Sequence, residues 1–541
     1  MLKEHFTLVE VLLKELYLLG VKYVFLVPGA QIAPFVNVLF QKNKSKIPKP
    51  IIAVHELGAG FMAMGYAKSS GKLGVVLSIG GPGSAYMVGA AITAKAEGVP
   101  VVFITGDIPT KHAGKGEFQD SGILGTNDIA IFKEALNSSI ILNKVTDLNK
   151  ILGWINTSFK EEKPLHIQIP LDIQNCKIDQ SKYEIVNTIN SKTESVLERT
   201  NKLPKTLPVK TVFLIGKELL NEKKLVKELR HFLQKNSIPF ITDFLARGVI
   251  PESDKEWVGY LGLENKNKAL EVINNTSSLG ADIVISIGKN QNITDKLIVH
   301  KSVCYSLTIN EITKYLACLN FVEKDIDNRK NWLTQINQIK EYNVTKAKIK
   351  GKVTYFQIVE ALNNLNQEKV IYSLDSGQIR KAVNLFLKPF SVKKVLQSAT
   401  ISPMGFGICS AIGVQCANRN KQVISLFGDG SMKMHGMELI TAVRYKLPII
   451  FILCDNESYG SSILLPDKAR KLSKINWETF ANSIKIKVMK AESNRKFNES
   501  LKMGLTLKEP LLIWVKVPEL LTDEVEINSY SNNWISQMKS K

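Results

Sequence analysis

The run Gly428-Asp429-Gly430-Ser431 is followed 27 residues later by Asn456, inside Cys454-Asp455-Asn456-Glu457-Ser458. A carboxylate, an amide oxygen and a free backbone carbonyl form a hard oxygen set of the kind Mg2+ takes, an ion that keeps some water and draws its other ligands from phosphates. Gly430 and Ser431 would open a helix whose first N–H groups have no intrahelical acceptor and can hold a diphosphate. A second carboxylate, Glu56 in AVHELGAG, reads as lying at the end of a strand, Ile51 to Val54, and is flanked by Leu57, Gly58 and Ala59. Few water ligands reach such a group, which suits it to proton exchange.

The elements that must position these residues come from an internal repeat. A shift of 348 positions lays Val75–Asp107 on Val423–Asp455 without a gap, and nine pairs are identical, among them Gly80/Gly428, Pro100/Pro448 and Asp107/Asp455. The shift continues upstream, matching Ala63 to Ala411 and Gly65 to Gly413. Each copy reads as a strand, a glycine-rich turn, a helix and a Pro-initiated apolar strand: VVLSIG, GPGS, AAITAKAEG and PVVFITGD, then VISLFG, DGSM, MELITAVRYK and PIIFILCDN. Continuous apolar strands alternating with helices predict a parallel sheet covered on both faces, with ligands outside its carboxyl ends. Consecutive parallel strands are usually neighbours, so Asp429 and Asn456 would meet at one edge. In the first copy Asp429 becomes Gly81. At the place of Glu56 the second copy has Met404. Two copies that keep different polar residues have divided one task.

Between the copies, Val209–Gly216, Ile238–Phe244 and Ala281–Gly288 read as strands and Lys223–Asn236 as an amphipathic helix. The fold class is therefore α/β, three doubly wound parallel-sheet domains over 1–175, 206–338 and 354–541. Polar stretches near 176–206 and 338–353 read as linkers. The segment Met1–Gly20 reads as an amphipathic helix of the mature fold and not as a secretory signal.

The 541 residues carry 71 basic and 50 acidic side chains, a net +21. Lysine is spread along the chain without aromatic interleaving, which argues against a nucleic-acid partner. Its densest stretch, Lys42, Lys44, Lys46 and Lys49, reads as a solvated loop. No apolar run approaches the roughly 20 residues of a membrane span. The six cysteines include no Cys-x-x-Cys pair, so neither zinc nor disulfides are indicated, and a reducing, cytoplasmic setting fits.

The chain resembles the thiamine-diphosphate (ThDP) enzymes of the acetolactate synthase and pyruvate oxidase group over nearly its whole length. The resemblance is carried by VPGA (27–30), HELGAGFMAMGYA (55–67), GGPGS (80–84), GEFQD (116–120), HIQIPLDI (166–173), SPMGFG (402–407) and the stretch from Gly428 to Gly460. It implies a pyrimidine-binding, a central and a diphosphate-binding domain. It also implies roles: Glu56 bonds the aminopyrimidine of the cofactor, Met404 buttresses its bent shape, and the Ser402 carbonyl accepts from its amino group. Asp429, Asn456 and the carbonyl of Ser458 hold Mg2+. Gln378, Gly430 and Ser431 contact the diphosphate, Pro28, Gly29 and Pro82 lie against the cofactor, and Phe118 and Gln119 lie near the reacting carbon. The implied reaction decarboxylates a 2-oxo acid, pyruvate first among them, and passes the acyl unit to an acceptor carbonyl. The implied assembly is a homodimer or homotetramer whose sites lie between subunits; a regulatory subunit is left open.

Departures from the acetolactate synthase pattern bear on the substrate. Tyr86 stands where the group has a small amide, and Tyr459-Gly460-Ser461-Ser462-Ile463-Leu464 replaces the usual Gln-Trp-Gln cluster. A leucine, Leu171, takes the place of the usual lysine. Leu261-Gly262-Leu263-Glu264-Asn265 lacks the flavin-associated motif, which argues against bound FAD and the oxidase branch. Two rivals therefore stay beside the acetolactate synthase reading. One is a ThDP-dependent decarboxylase or acyl transferase with another acceptor, as in secondary metabolism. The other is a non-catalytic ThDP-fold protein of assembly or regulation, against which the joint retention of Glu56, Met404, Asp429 and Asn456 speaks. His112 and His435 read as surface or supporting groups.

Overall fold

The computed structural model describes residues 5–41, 45–179, 204–262, 267–274, 278–288, 303–319, 323–339, 342–344, 351–388, 390–460, 465–521 and 525–527. Lys42, Lys44, most of the 176–206 linker, Leu263–Asn265 and Ser461–Leu464 lie outside them. Lys46 is exposed in a turn, whereas Lys49 opens a strand.

Two six-stranded sheets share one topology. The first runs Lys49–Ile52, Tyr23–Leu26, Gly74–Ser78, Val101–Asp107, Leu165–Pro170, Ser139–Ile141. The second runs Val395–Leu396, Val370–Leu374, Gln422–Gly428, Ile449–Asp455, Leu511–Lys516, Lys487–Ala491. Every pairing in both is parallel. The repeat thus extends beyond the gapless match to all six strands. Between them lies a five-stranded parallel sheet, Trp257–Leu261, Phe240–Asp243, Thr211–Ile215, Ile283–Ile287, Val303–Leu307.

The two related sheets are joined by helices buried on all sides. Glu56–Ser70 hides every residue from Gly58 to Ala67, and Phe406–Ala417 hides all but its last. Such helices show no polar face, because each packs on its own sheet and on the other helix. The repeat-matched glycines make the crossing: a methyl group on Gly65 would overlap the Ser410 carbonyl, and one on Gly413 the Met62 carbonyl. Met62 and Ser410 are themselves matched by the 348 shift, so the contact is pseudo-twofold. A single apolar core accordingly runs from Phe61, Met64 and Phe103 to Ile408, Ala411 and Phe451.

Three sequence expectations are corrected. The N-terminal segment is a short strand, His5–Thr7, followed by the helix Leu8–Leu18, because Thr7 and Glu10 form a capping box that starts the helix late. Glu56 is not at a strand end but is the first residue of a helix. Each expected linker holds one strand of an antiparallel pair: Lys177–Asp179, which pairs with His5–Thr7, and Tyr342–Val344, which pairs with Val525–Ile527. Three-residue strands are too short to show a period. Among the described residues no helix is long and apolar enough to cross a membrane.

Candidate active site

The strands Gln422–Gly428 and Ile449–Asp455 pair in parallel with Gly428 opposite Cys454. Their following turns therefore meet. Asp429, Gly430, Ser431, Asn456, Ser458, Gln378 and Met404 line one cavity there, with Tyr355, Ser376 and Tyr459. A side chain on Gly430 would collide with the Tyr459 ring, so only glycine leaves this floor open.

Asp429 is 2% exposed. Burial, and next the neighbouring Asp455 charge, push its carboxyl up to about 7. Asp455 is already engaged, taking Lys516 Nζ at 2.8 Å and Trp514 Nε1 at 2.8 Å. That leaves Asp429 as the carboxylate lining the cavity. Asn456 Nδ2 donates to the Glu519 carbonyl at 2.9 Å, and Asn456 Oδ1 accepts from Ser458 N at 3.2 Å. The amide is thereby held with its oxygen on the side of the turn. The Ser458 carbonyl accepts from Gly460 N at 2.9 Å and keeps a second lone pair. One crowded buried carboxylate, one oriented amide oxygen and one carbonyl fit a hard divalent cation. Among the described residues no three His, Cys, Asp or Glu side chains converge as a softer metal would require.

The rest of the lining is less free than its residue types suggest. Gln378 Nε2 donates to the Gly460 carbonyl at 2.7 Å, and its Oε1 accepts from Leu521 N at 3.1 Å. Ser431 Oγ donates to Asp375 at 2.6 Å, so its backbone amide is what remains for an anion. Ser402 does not line the cavity. It sits at φ 58°, uncommon for a non-glycine residue, and its hydroxyl donates to Ser376 Oγ at 3.2 Å.

The first-domain candidates gather at the matching edge of the other sheet. Glu56 is half-buried, with Ser78 Oγ donating to Oε1 at a long 3.5 Å. Gln31 ties two loops beside it, accepting from Gly80 N at 2.8 Å and donating to the Gln119 carbonyl at 2.9 Å. Gln119 has φ 60°. Pro28 and Gly29 follow the strand Tyr23–Leu26, with Gly29 packed on Ile79. Pro82 starts the helix Pro82–Glu97, held by Asp128, which accepts from Gly81 N at 2.8 Å and from Ser84 Oγ. None of these residues lines the third-domain cavity. Within one chain the candidates form two half-sites, one per related sheet. Exposed apolar side chains flank both: Tyr86, Phe118 and Leu124 on one, Ile401, Met434 and Met437 on the other.

His112 pairs with Glu117 at 3.0 Å in a surface turn. His435 lies against His55 and Phe61, and burial with the nearby His55 takes its pKa down to about 4. Four supporting carboxylates escaped the sequence reading: Glu97, Asp375, Glu438 and Glu519. Asp375 could have been flagged by its place three residues before Gln378. The others bond segments remote in sequence and leave no local signal.

Three family models match in chain order. They describe a thiamine pyrophosphate enzyme's N-terminal TPP binding domain over residues 6–125, its central domain over 209–303 and its C-terminal TPP binding domain over 375–515. The chain belongs to the thiamine pyrophosphate enzyme family, and its three parallel-sheet units are that family's fold. Among relatives, it is 24% identical to the probable acetolactate synthase large subunit of Methanococcus aeolicus, over 93% of this chain and 91% of that protein. It is 26% identical to the acetolactate synthase large subunit of Haemophilus influenzae, over 82% and 80%. It is also 24% identical to the putative thiamine pyrophosphate-containing protein YdaP of Bacillus subtilis, over 92% and 89%. The matches make it a ThDP-dependent enzyme of the decarboxylase or transferase type.

Proposed function

We propose that the chain decarboxylates a 2-oxo acid, with pyruvate the first candidate, and transfers the acyl unit to an acceptor carbonyl. Bound in the cavity, ThDP supplies the electron sink that such a decarboxylation needs. Asp429, Asn456 Oδ1 and the Ser458 carbonyl hold Mg2+, and the amides of Gly430 and Ser431 bind the diphosphate, with Gln378 fixing the wall beside them. Met404 orients the cofactor from the cavity side, and the Ser402 carbonyl accepts from its amino group. Glu56 would hydrogen-bond the pyrimidine ring through its carboxyl group, as the partner for proton exchange there. Pro28, Gly29 and Pro82 would shape the first-domain wall against the cofactor, and Gln119 would stand near its reacting carbon. The observation that carries the reading is the single cavity uniting Asp429, Gly430, Asn456, Ser458 and Met404.

Glu56 lies outside that cavity, so the complete site needs the first domain of a second copy. The exposed Tyr86, Phe118, Leu124, Met434 and Met437 are the surface such a copy would cover, in a homodimer or homotetramer. No flavin enters the reading.

Tyr86 favours an acceptor other than a second pyruvate. Its ring lies 4.9 Å from His55, beside Glu56, where a small amide would leave more room. The deciding experiment gives the apo protein ThDP and Mg2+ with a panel of 2-oxo acids, alone and paired with carbonyl acceptors. Carbon dioxide release and mass spectrometry of products are read. Release with acetolactate as product supports the acetolactate synthase reading, and another adduct supports the Tyr86 argument. Silence across the panel sinks the catalytic proposal in favour of an assembly or regulatory role. The absorption spectrum of purified protein tests for flavin.

A further inference from the structure

The helix Pro82–Glu97 of the first domain ends on a carboxylate that reaches into the third. The Glu97 side chain is fully screened from solvent and pairs with Lys68 Nζ at 3.2 Å. It accepts from Ser398 Oγ at 3.0 Å and from Thr400 N at 2.7 Å. Lys68 Nζ also donates to the Gln397 carbonyl at 2.7 Å. Burial opposes the charge on Glu97, but Lys68 and the Thr400 amide outweigh it and hold the carboxyl below its ordinary range.

Ser398 passes the constraint on. Its hydroxyl oxygen accepts from Ser402 N at 3.0 Å, two residues before Met404. Arg380, from the third domain itself, grips the same strap at the Ser398 carbonyl and at Ser402 Oγ. Ser402 keeps its left-handed φ of 58° under these bonds, and a conformation of that kind persists only where its surroundings over-determine it. A buried ion pair is weak grounds for stability alone, since apolar replacement often serves as well. This one spends its acceptors on a strap that ends in the cavity wall at Met404.

We propose that Glu97 is a positioning residue for the pyrimidine end of the bound cofactor, acting across the domain boundary through Ser398 on the Ser402–Met404 turn. The inference rests on the functional reading above. Glu97 makes no hydrogen bond with Asp429, Gly430, Ser431 or Asn456, so the diphosphate end should not feel it.

The two ends separate experimentally. Apo full-length protein is titrated calorimetrically with ThDP and, separately, with inorganic pyrophosphate, both at saturating Mg2+. The proteins are wild type, Glu97→Gln and Ser398→Ala. We expect ThDP affinity to fall about tenfold in both variants, the scale on which groups one step behind a ligand act. Pyrophosphate affinity should stay within about twofold, since its contacts are untouched. Unchanged ThDP affinity in both variants overturns the proposal, as does a parallel loss for both ligands, which marks general damage. If Glu97→Gln does not fold, Ser398→Ala decides alone, because it leaves the ion pair intact. Wild type that binds pyrophosphate but not ThDP overturns the functional reading itself, and this inference with it.

Discussion

The Glu438 carboxylate, in the third domain, accepts the backbone N–H of His55 at 3.0 Å. It also takes the N–H of Val54 at 3.2 Å, so both residues leading into Glu56 hang on one side chain. Glu438 stands nine residues after Asp429 in one run of helical turns, Asp429–His435 and Gly436–Glu438. The segment that opens at the candidate metal ligand thus closes on the start of the helix carrying the candidate proton-exchange group.

Glu438→Ala should release that helix start. Two partly buried N–H groups would lose their acceptor, at a cost of about 1 to 3 kcal/mol. A misplacement of Glu56 by about 1 Å would lower turnover about 100-fold. Unfolding temperature and rate of carbon dioxide release check the two parts. Turnover equal to wild type would separate Glu438 from the placement of Glu56.

The Gly65–Gly413 crossing should tolerate no methyl group. Each added carbon would meet backbone that cannot rotate away, so Gly65→Ala and Gly413→Ala should each destabilise by about 1 to 3 kcal/mol or more. The double variant should cost less than the sum, because helices already parted by the first methyl accommodate the second. Urea unfolding of the four proteins measures the cycle, and strict additivity would argue against a shared contact.

Much of this was legible in the sequence, for definite reasons. Asp429 and Asn456 end adjacent strands of one βαβ unit, and that topology brings them together whatever the rest of the chain does. The glycines at 65 and 413 stood out by the repeat, though not as partners of each other. The bond of Glu97 to Thr400 spans some three hundred residues, and no period links them. Asp375 carries no motif of its own, and only the structure joins it to Ser431, Gly405 and Gly407. Glu56 was placed one element early because His55, an unusual cap, starts its helix by accepting from Leu57 N.

Asp375 gives a pH signature. Burial lifts its carboxyl from an ordinary 3.8 to about 6, although Ser431 Oγ and the amides of Gly405, Gly407 and Ser376 favour the charged form. The folded protein therefore holds this proton to higher pH than the unfolded chain does. The resulting stability is present below the unfolded value of 3.8 and is lost as pH rises from there to about 6. Asp375→Asn cannot titrate, so across that window it should gain on wild type by about 3 kcal/mol and hold level above it. Urea unfolding of both apo proteins over that range tests the slope, and a pH-independent difference would dismiss it.

Asp429→Asn should act in opposite directions on the empty and the loaded protein. In the empty protein it removes a buried charge beside Asp455, so unfolding should shift upward by about 1 kcal/mol, the gain common when a functional group is neutralised. In the loaded protein it removes the one carboxylate of the proposed Mg2+ set, and binding of ThDP with Mg2+ should weaken at least about 100-fold. Wild type held at about 100 times its dissociation constant should gain about 2.7 kcal/mol from the cofactor and lose it to a chelator, by mass action. The variant should be indifferent to both additions. Thermal scans with and without ThDP, Mg2+ and chelator read all four states at once, and a variant that keeps the magnesium-dependent shift would remove Asp429 from the ligand set.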